Sequence, residues 1–138
     1  MRFFDTHAHL NDESFDTDRA ALIEGLPSCG AELIMDVACA AEDFEKTLEI
    51  TAKYPFIYGA YGIHPHYASD PGENWEARLR RALCDKKAAC LGEIGLDYHY
   101  DLSEKEDQKK LFDYQLKLAK ELGLPVSLHI REAFGDAM

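Results

Sequence analysis

No run of apolar residues in this 138-residue sequence approaches the roughly 20 needed to span a bilayer, so no membrane-spanning helix is expected. The opening residues, Met-Arg-Phe-Phe-Asp-Thr-His, lack the apolar core of a secretion signal and run straight into strand-like sequence. A cytoplasmic location is the expectation. Cys29, Cys39, Cys84 and Cys90 are scattered and form no Cys-x-x-Cys unit, which argues against cysteine-ligated zinc. Without a secretion signal, buried free thiols are expected rather than disulfides. Neither a Gly-x-Gly-x-x-Gly fingerprint nor a phosphate-binding P-loop is present. Ser103 and Ser127 lack the setting of a nucleophile elbow. Basic residues are also few, leaving a formal net charge of -11. That counts against a protein that coats nucleic acid by displacing counterions, but not against an enzyme whose cations meet a phosphate locally. No repeat, low-complexity tract or linker interrupts the chain, so residues 1–138 read as a single unit.

What is present is an alternation of short apolar runs with longer amphipathic stretches. Strands are expected at residues 2–6, 32–38, 56–61, 88–94 and 125–130. Helices are expected at 16–26, capped by Asp16 or Thr17 and broken by Pro27 and Gly30, and at 41–53, 75–85 and 103–122. In the last of these Ser103 and Glu106 resemble a capping box, and Leu111, Tyr114, Gln115, Leu118 and Leu122 form the expected buried stripe. Five strands with intervening helices imply βαβ units and a parallel sheet. Their order alone fits either a doubly wound sheet or a barrel.

His7, His9, His64, Glu93, Asp97 and His129 all fall at the C-terminal ends of expected strands, where α/β barrels build their active sites. His7 and His9 are two residues apart, share one face of a strand and can converge on a single ion; otherwise they are ordinary loop histidines. Asp5 lies on the same alternation, placed to orient a ring nitrogen or to fix the strand end. Glu93, between apolar residues and an expected Gly95 turn, must be paired, protonated or metal-bound. Its ordinary alternative is a salt bridge to Arg131. His129 alternates with Ser127 and Arg131 and faces the same mouth, or is a hydrogen-bonded core residue. His64 and His66 flank Pro65 and fit metal binding, substrate contact or loop structure equally well. Asp97 serves as a turn cap or orients a ligand. Arg131 is a donor for phosphate or carboxylate.

Four segments in series carry a family resemblance: Phe4-Asp-Thr-His-Ala-His-Leu10, Gly62-Ile-His-Pro-His66, Gly92-Glu-Ile-Gly-Leu-Asp-Tyr98 and Leu124-Pro-Val-Ser-Leu-His-Ile-Arg131. Together they resemble the TatD family of metal-dependent deoxyribonucleases. The helix between the last two, with Phe112, Gln115, Leu116 and Ala119, fits the same pattern. The resemblance implies a TIM-like (β/α)8 barrel of parallel βα repeats, truncated here after strand five. It implies two divalent cations, whether Mg2+, Mn2+ or Zn2+. His7 and His9 would hold one, Glu93 would bridge both as the catalytic carboxylate, and His129 would hold the second. The implied activity is hydrolysis of phosphodiester bonds in DNA, with the cations activating water and stabilising developing charge. His64, His66 and Arg131 would lie near the substrate phosphates.

Family members continue for roughly as long again, and their later half supplies a further metal histidine and an aspartate. Nothing in these residues stands at those positions, and five strands cannot close an eight-stranded barrel. The exposed edges then favour self-association or a second chain that completes the barrel, or else the sequence is a fragment. Two other functions stay open: a metallohydrolase for another ester, amide or lactone, and a non-enzymatic paralogue that binds metal or a partner.

Overall fold

The computed structural model describes residues 1–100 and 102–138. Its strands are β1 (Phe3–Ala8), β2 (Ala31–Ala38), β3 (Ile57–Tyr61), β4 (Ala88–Asp97) and β5 (Val126–Arg131). They alternate with α1 (Arg19–Gly25), α2 (Phe44–Lys53), α3 (Trp75–Leu83) and α4 (Lys105–Leu122), and a short α5 (Phe134–Ala137) follows. Every strand pairs in parallel with its sequence neighbour, in the order β1-β2-β3-β4-β5. A doubly wound sheet needs a reversal of that order at a switch point. None occurs, and the sheet curls as half of a βα barrel wall. No helix among the described residues is long and apolar enough to cross a membrane.

Alternation along β2 separates two environments. Ile34, Asp36 and Ala38 face the helices, where Asp36 meets Thr47 of α2. Met35, Val37 and Cys39 lie on the other side, packed with Ala60 and Cys90. The main core joins Phe44, Tyr61, Ile63, Leu79, Ile94 and Leu118 between sheet and helices, and a second one holds Ile23, Ile34, Ile50 and Ile57. Central strands are buried, whereas Phe4 on β1 and Leu128 on β5 remain about half exposed, at 50% and 51%.

Several local expectations change. The first helix begins at Arg19 rather than Asp16, because the Arg19 guanidinium donates to the carbonyls of Leu10 (2.6 Å) and Asp12 (2.7 Å). Those bonds hold the preceding chain in a loop. The Ser103–Glu106 capping box does not form. Ser103 Oγ instead donates to the His66 carbonyl (2.8 Å) and accepts from Ser69 N (3.2 Å), and α4 starts after Glu104. The buried face of α4 is Gln108, Leu111, Phe112, Gln115, Leu118 and Ala119, while Leu122 is exposed. No turn occurs at Gly95, and β4 continues to Asp97. Gly95 lies opposite His129 of β5 with φ +152°, so close that a Cβ there would collide with the His129 carbonyl. The glycine permits strand contact rather than reversal. All four cysteines are free, but Cys29 and Cys84 are exposed rather than buried.

Candidate metal centre

β1 ends by presenting His7, and His9 follows one residue beyond the strand. Asp5 accepts a hydrogen bond from the His7 peptide N–H (3.1 Å), so it fixes the strand end rather than a ring nitrogen. The His9 ring donates from Nδ1 to the Val37 carbonyl at 2.9 Å. A carbonyl only accepts, so the hydrogen sits on Nδ1 and the lone pair is left on Nε2. The loop beyond His9 is pinned by Asp36, which accepts from Asn11 N (3.2 Å), Asn11 Nδ2 (3.2 Å) and Thr47 Oγ1 (2.9 Å). Burial raises the Asp36 carboxyl above its ordinary range, against the lowering effect of these bonds.

Glu93 projects from the middle of β4 with its carboxylate between the first and last strands. Oε2 lies 3.4 Å from His7 Nε2, and Oε1 lies 3.2 Å from His129 Nδ1. The Cys39 thiol points at Oε2 from 3.8 Å. Donor atoms of His7, His9 and Glu93 fall within 4.8 Å of one another. Arg131 is not the partner of Glu93, and among the described residues it forms no salt bridge. Its guanidinium stacks over Tyr100, 4.5 Å from the ring centroid, and is exposed.

Asp97, fully buried at the end of β4, joins the two remaining histidines. Its Oδ2 lies 2.9 Å from both His66 Nε2 and His129 Nε2, and its Oδ1 accepts from His99 N (2.9 Å) and Tyr100 N (3.1 Å). Asp97 therefore caps a turn, one of the two roles left open for it, and also contacts two histidines. Burial alone would raise its carboxyl, but the hydrogen bonds from His66, Tyr100, His129 and His99 outweigh that and hold it well below the usual range. His64 packs edge-on against both His66 and His129, with centroids 4.3 Å apart in each case. Burial, with smaller contributions from its histidine neighbours, pushes its ring down to about 3, so it is neutral at ordinary pH. His64, His66 and His129 form a second group whose donor atoms lie within 4.8 Å of one another.

Helix α4 fixes the strand ends through two buried glutamines. Gln108 accepts from Asp97 N (2.8 Å) and donates to Asp97 O (3.0 Å), while Gln115 accepts from Ile63 N (2.8 Å) and donates to Ile63 O (3.0 Å). Each side chain replaces the neighbouring strand that a backbone amide would otherwise need. Sequence reasoning placed Gln115 on the buried face but missed Gln108, although the two stand seven residues, or two turns, apart. Cys39 was also missed as a site residue, and its position just after β2 is the signal that could have found it. Burial, then the Glu93 charge, raises its thiol, which stays protonated.

The fold and the imidazole–carboxylate donor set define a βα-barrel protein with a candidate divalent-metal centre. The chain belongs to the TatD related DNase family, whose model matches residues 4–138. It is 41% identical to the uncharacterized metal-dependent hydrolase YabD of Bacillus subtilis, over 98% of this chain and 53% of that protein. It is 33% identical to the 3'-5' ssDNA/RNA exonuclease TatD of Cronobacter sakazakii, over 94% of this chain and 49% of the relative. The crystal structure of YJJV, a TatD homolog from Escherichia coli K12, superposes with a TM-score of 0.89 and 36% identity, over 99% of this chain and 53% of that one. The chain thus spans about half the length of these relatives.

Proposed function

We propose that this chain supplies ligands to a two-ion centre for divalent-metal-dependent hydrolysis of phosphodiester bonds in DNA. His7 and His9 hold one ion, Glu93 is shared, and His129 holds the second. The observation that carries this reading is the placement of Glu93, with one oxygen toward His7 Nε2 and the other toward His129 Nδ1. A carboxylate so placed fits a pair of cations about 3.5–4 Å apart. The imidazoles of such a set suit zinc, while its carboxylate also suits manganese or magnesium. When bound, such ions lower the pKa of water and offset charge developing on phosphate. The chain's own residues then position the substrate. His64 and His66 would lie near the substrate phosphates, and exposed Arg131 offers its fork of donors. The exonuclease name of the Cronobacter relative supports a nucleic-acid substrate.

The half-exposed Phe4 and Leu128 on the outer strands support a further proposal, that more βα units cover these edges, whether from the same polypeptide, a second copy or another chain. Cleavage of end-labelled single-stranded DNA in Mg2+ or Mn2+ tests the activity. Metal-dependent cleavage that falls at least 100-fold in Glu93→Gln is the expected result. A folded chain that binds both ions but cleaves only other esters or amides would favour the broader hydrolase reading. One that binds metal without any turnover would favour a binding role.

A further inference from the structure

Asp97 touches neither a proposed ligand atom facing Glu93 nor any proposed substrate-facing atom of Arg131. It is nonetheless the most constrained carboxylate among the described residues: buried, with four hydrogen-bond partners. Its backbone is held in turn by Gln108 of α4, so its position does not drift with the loop that follows β4.

We propose that Asp97 is a positioning residue that makes Nδ1 the coordinating atom of His129. A carboxylate accepts hydrogen bonds and cannot donate them, so at 2.9 Å from Oδ2 the His129 Nε2 must carry a hydrogen. In a neutral ring, Nδ1 then keeps its lone pair, and that atom lies 3.2 Å from Glu93 Oε1. A lone pair and a carboxylate oxygen facing each other repel unless a cation or a proton lies near both. His9 shows the same design with the nitrogens exchanged: the Val37 carbonyl takes the Nδ1 hydrogen and frees Nε2. Two acceptors, each on the strand beside the one that leads to its histidine, thus dictate which nitrogen that histidine offers. Because Asp97 Oδ2 also meets His66 Nε2, one carboxylate sets the orientation of a proposed ligand and of a proposed substrate contact together.

This inference rests on the proposed metal-binding role of His129. Asp97→Asn is the informative variant, since Oδ1 can still accept from His99 N and Tyr100 N while Oδ2 becomes an NH2 donor. That donor faces Nε2 and draws the ring hydrogen to Nδ1, closing the lone pair to a metal. In the zinc-loaded chain, 15N NMR should show His129 coordinated through Nδ1 with hydrogen on Nε2. Zinc affinity, read by chelator competition, should fall about 10- to 100-fold in Asp97→Asn, with circular dichroism confirming the fold. The metal-free variant at alkaline pH should carry its His129 hydrogen on Nδ1. Coordination through Nε2, or zinc affinity unchanged in the folded variant, would overturn the assignment alone. Failure of the unaltered chain to bind zinc would overturn the functional reading and this one with it. If Asp97→Asn fails to fold, the NMR assignment of His129 in the unaltered chain still decides.

Discussion

Among the described residues Glu93 meets histidines and a thiol rather than a lysine or arginine, the setting that the proposed metal-bridging role requires. Its two nearest nitrogens, on His7 and His129, come from strands at opposite ends of the half barrel. Removing its charge should weaken Mn2+ binding at least tenfold in Glu93→Gln, measured by titration calorimetry, while the unfolding midpoint in chelator stays the same or rises. A large loss of stability would mean that the carboxylate is structural. His64 makes a separate prediction. The folded protein keeps its ring neutral to about pH 3, whereas an unfolded histidine protonates near 6.5. The unfolded state binds the extra proton between those values, so this contribution is complete above 6.5 and is lost as pH falls toward 3. His129, His66, Asp97 and His9 are the charged or titratable groups around it. In chelator-treated protein, His64→Gln should flatten the fall of urea stability across this window, and an unchanged slope would contradict the assignment.

At this scale much of the candidate site was legible. Strand-end placement brought out His7, His9, His64, Glu93, Asp97 and His129 because position along a strand predicts direction. Partnership was not legible. Whether Glu93 meets Arg131 or His129 depends on strand curl and rotamer, and spacing along the chain does not encode either. Tyr100 captures Arg131 instead.

Among the elements, α4 links the core to the site. Replacing Gln108 with Leu keeps the buried volume but strands the Asp97 N–H and C=O. That should cost about 2–4 kcal/mol in urea unfolding and loosen the His66–Asp97–His129 contacts. Gln115→Leu should cost a similar amount at Ile63 while leaving the Asp97 contacts in place; equal effects of both on zinc affinity would contradict the separation. Gly95→Ala drives a methyl group into the β5 backbone at His129 and should destabilise the fold by about 3 kcal/mol or more. Periodicity located every strand and the four main helices, because apolar spacing reflects burial directly. It misjudged the ends, where Arg19 and Ser103 make long-range bonds to carbonyls that override local capping. Gly95 looked like a turn because a glycine required by a close neighbouring strand carries the same letter as one required by a bend.

Over the whole molecule, charge and open edges set the behaviour. With a net charge of -11, the chain should not retain DNA in EDTA, and retention at low salt without divalent ions would contradict a metal-mediated contact. The parallel wall brings together at one end residues spread from His7 to His129, which no local segment could achieve. The most direct measurement is anomalous scattering from crystals grown with Mn2+. The predicted map has one peak among His7, His9 and Glu93 and a second between Glu93 and His129 Nδ1. No peak beside Glu93, or a single ion among His64, His66 and His129 Nε2, would contradict the proposed centre.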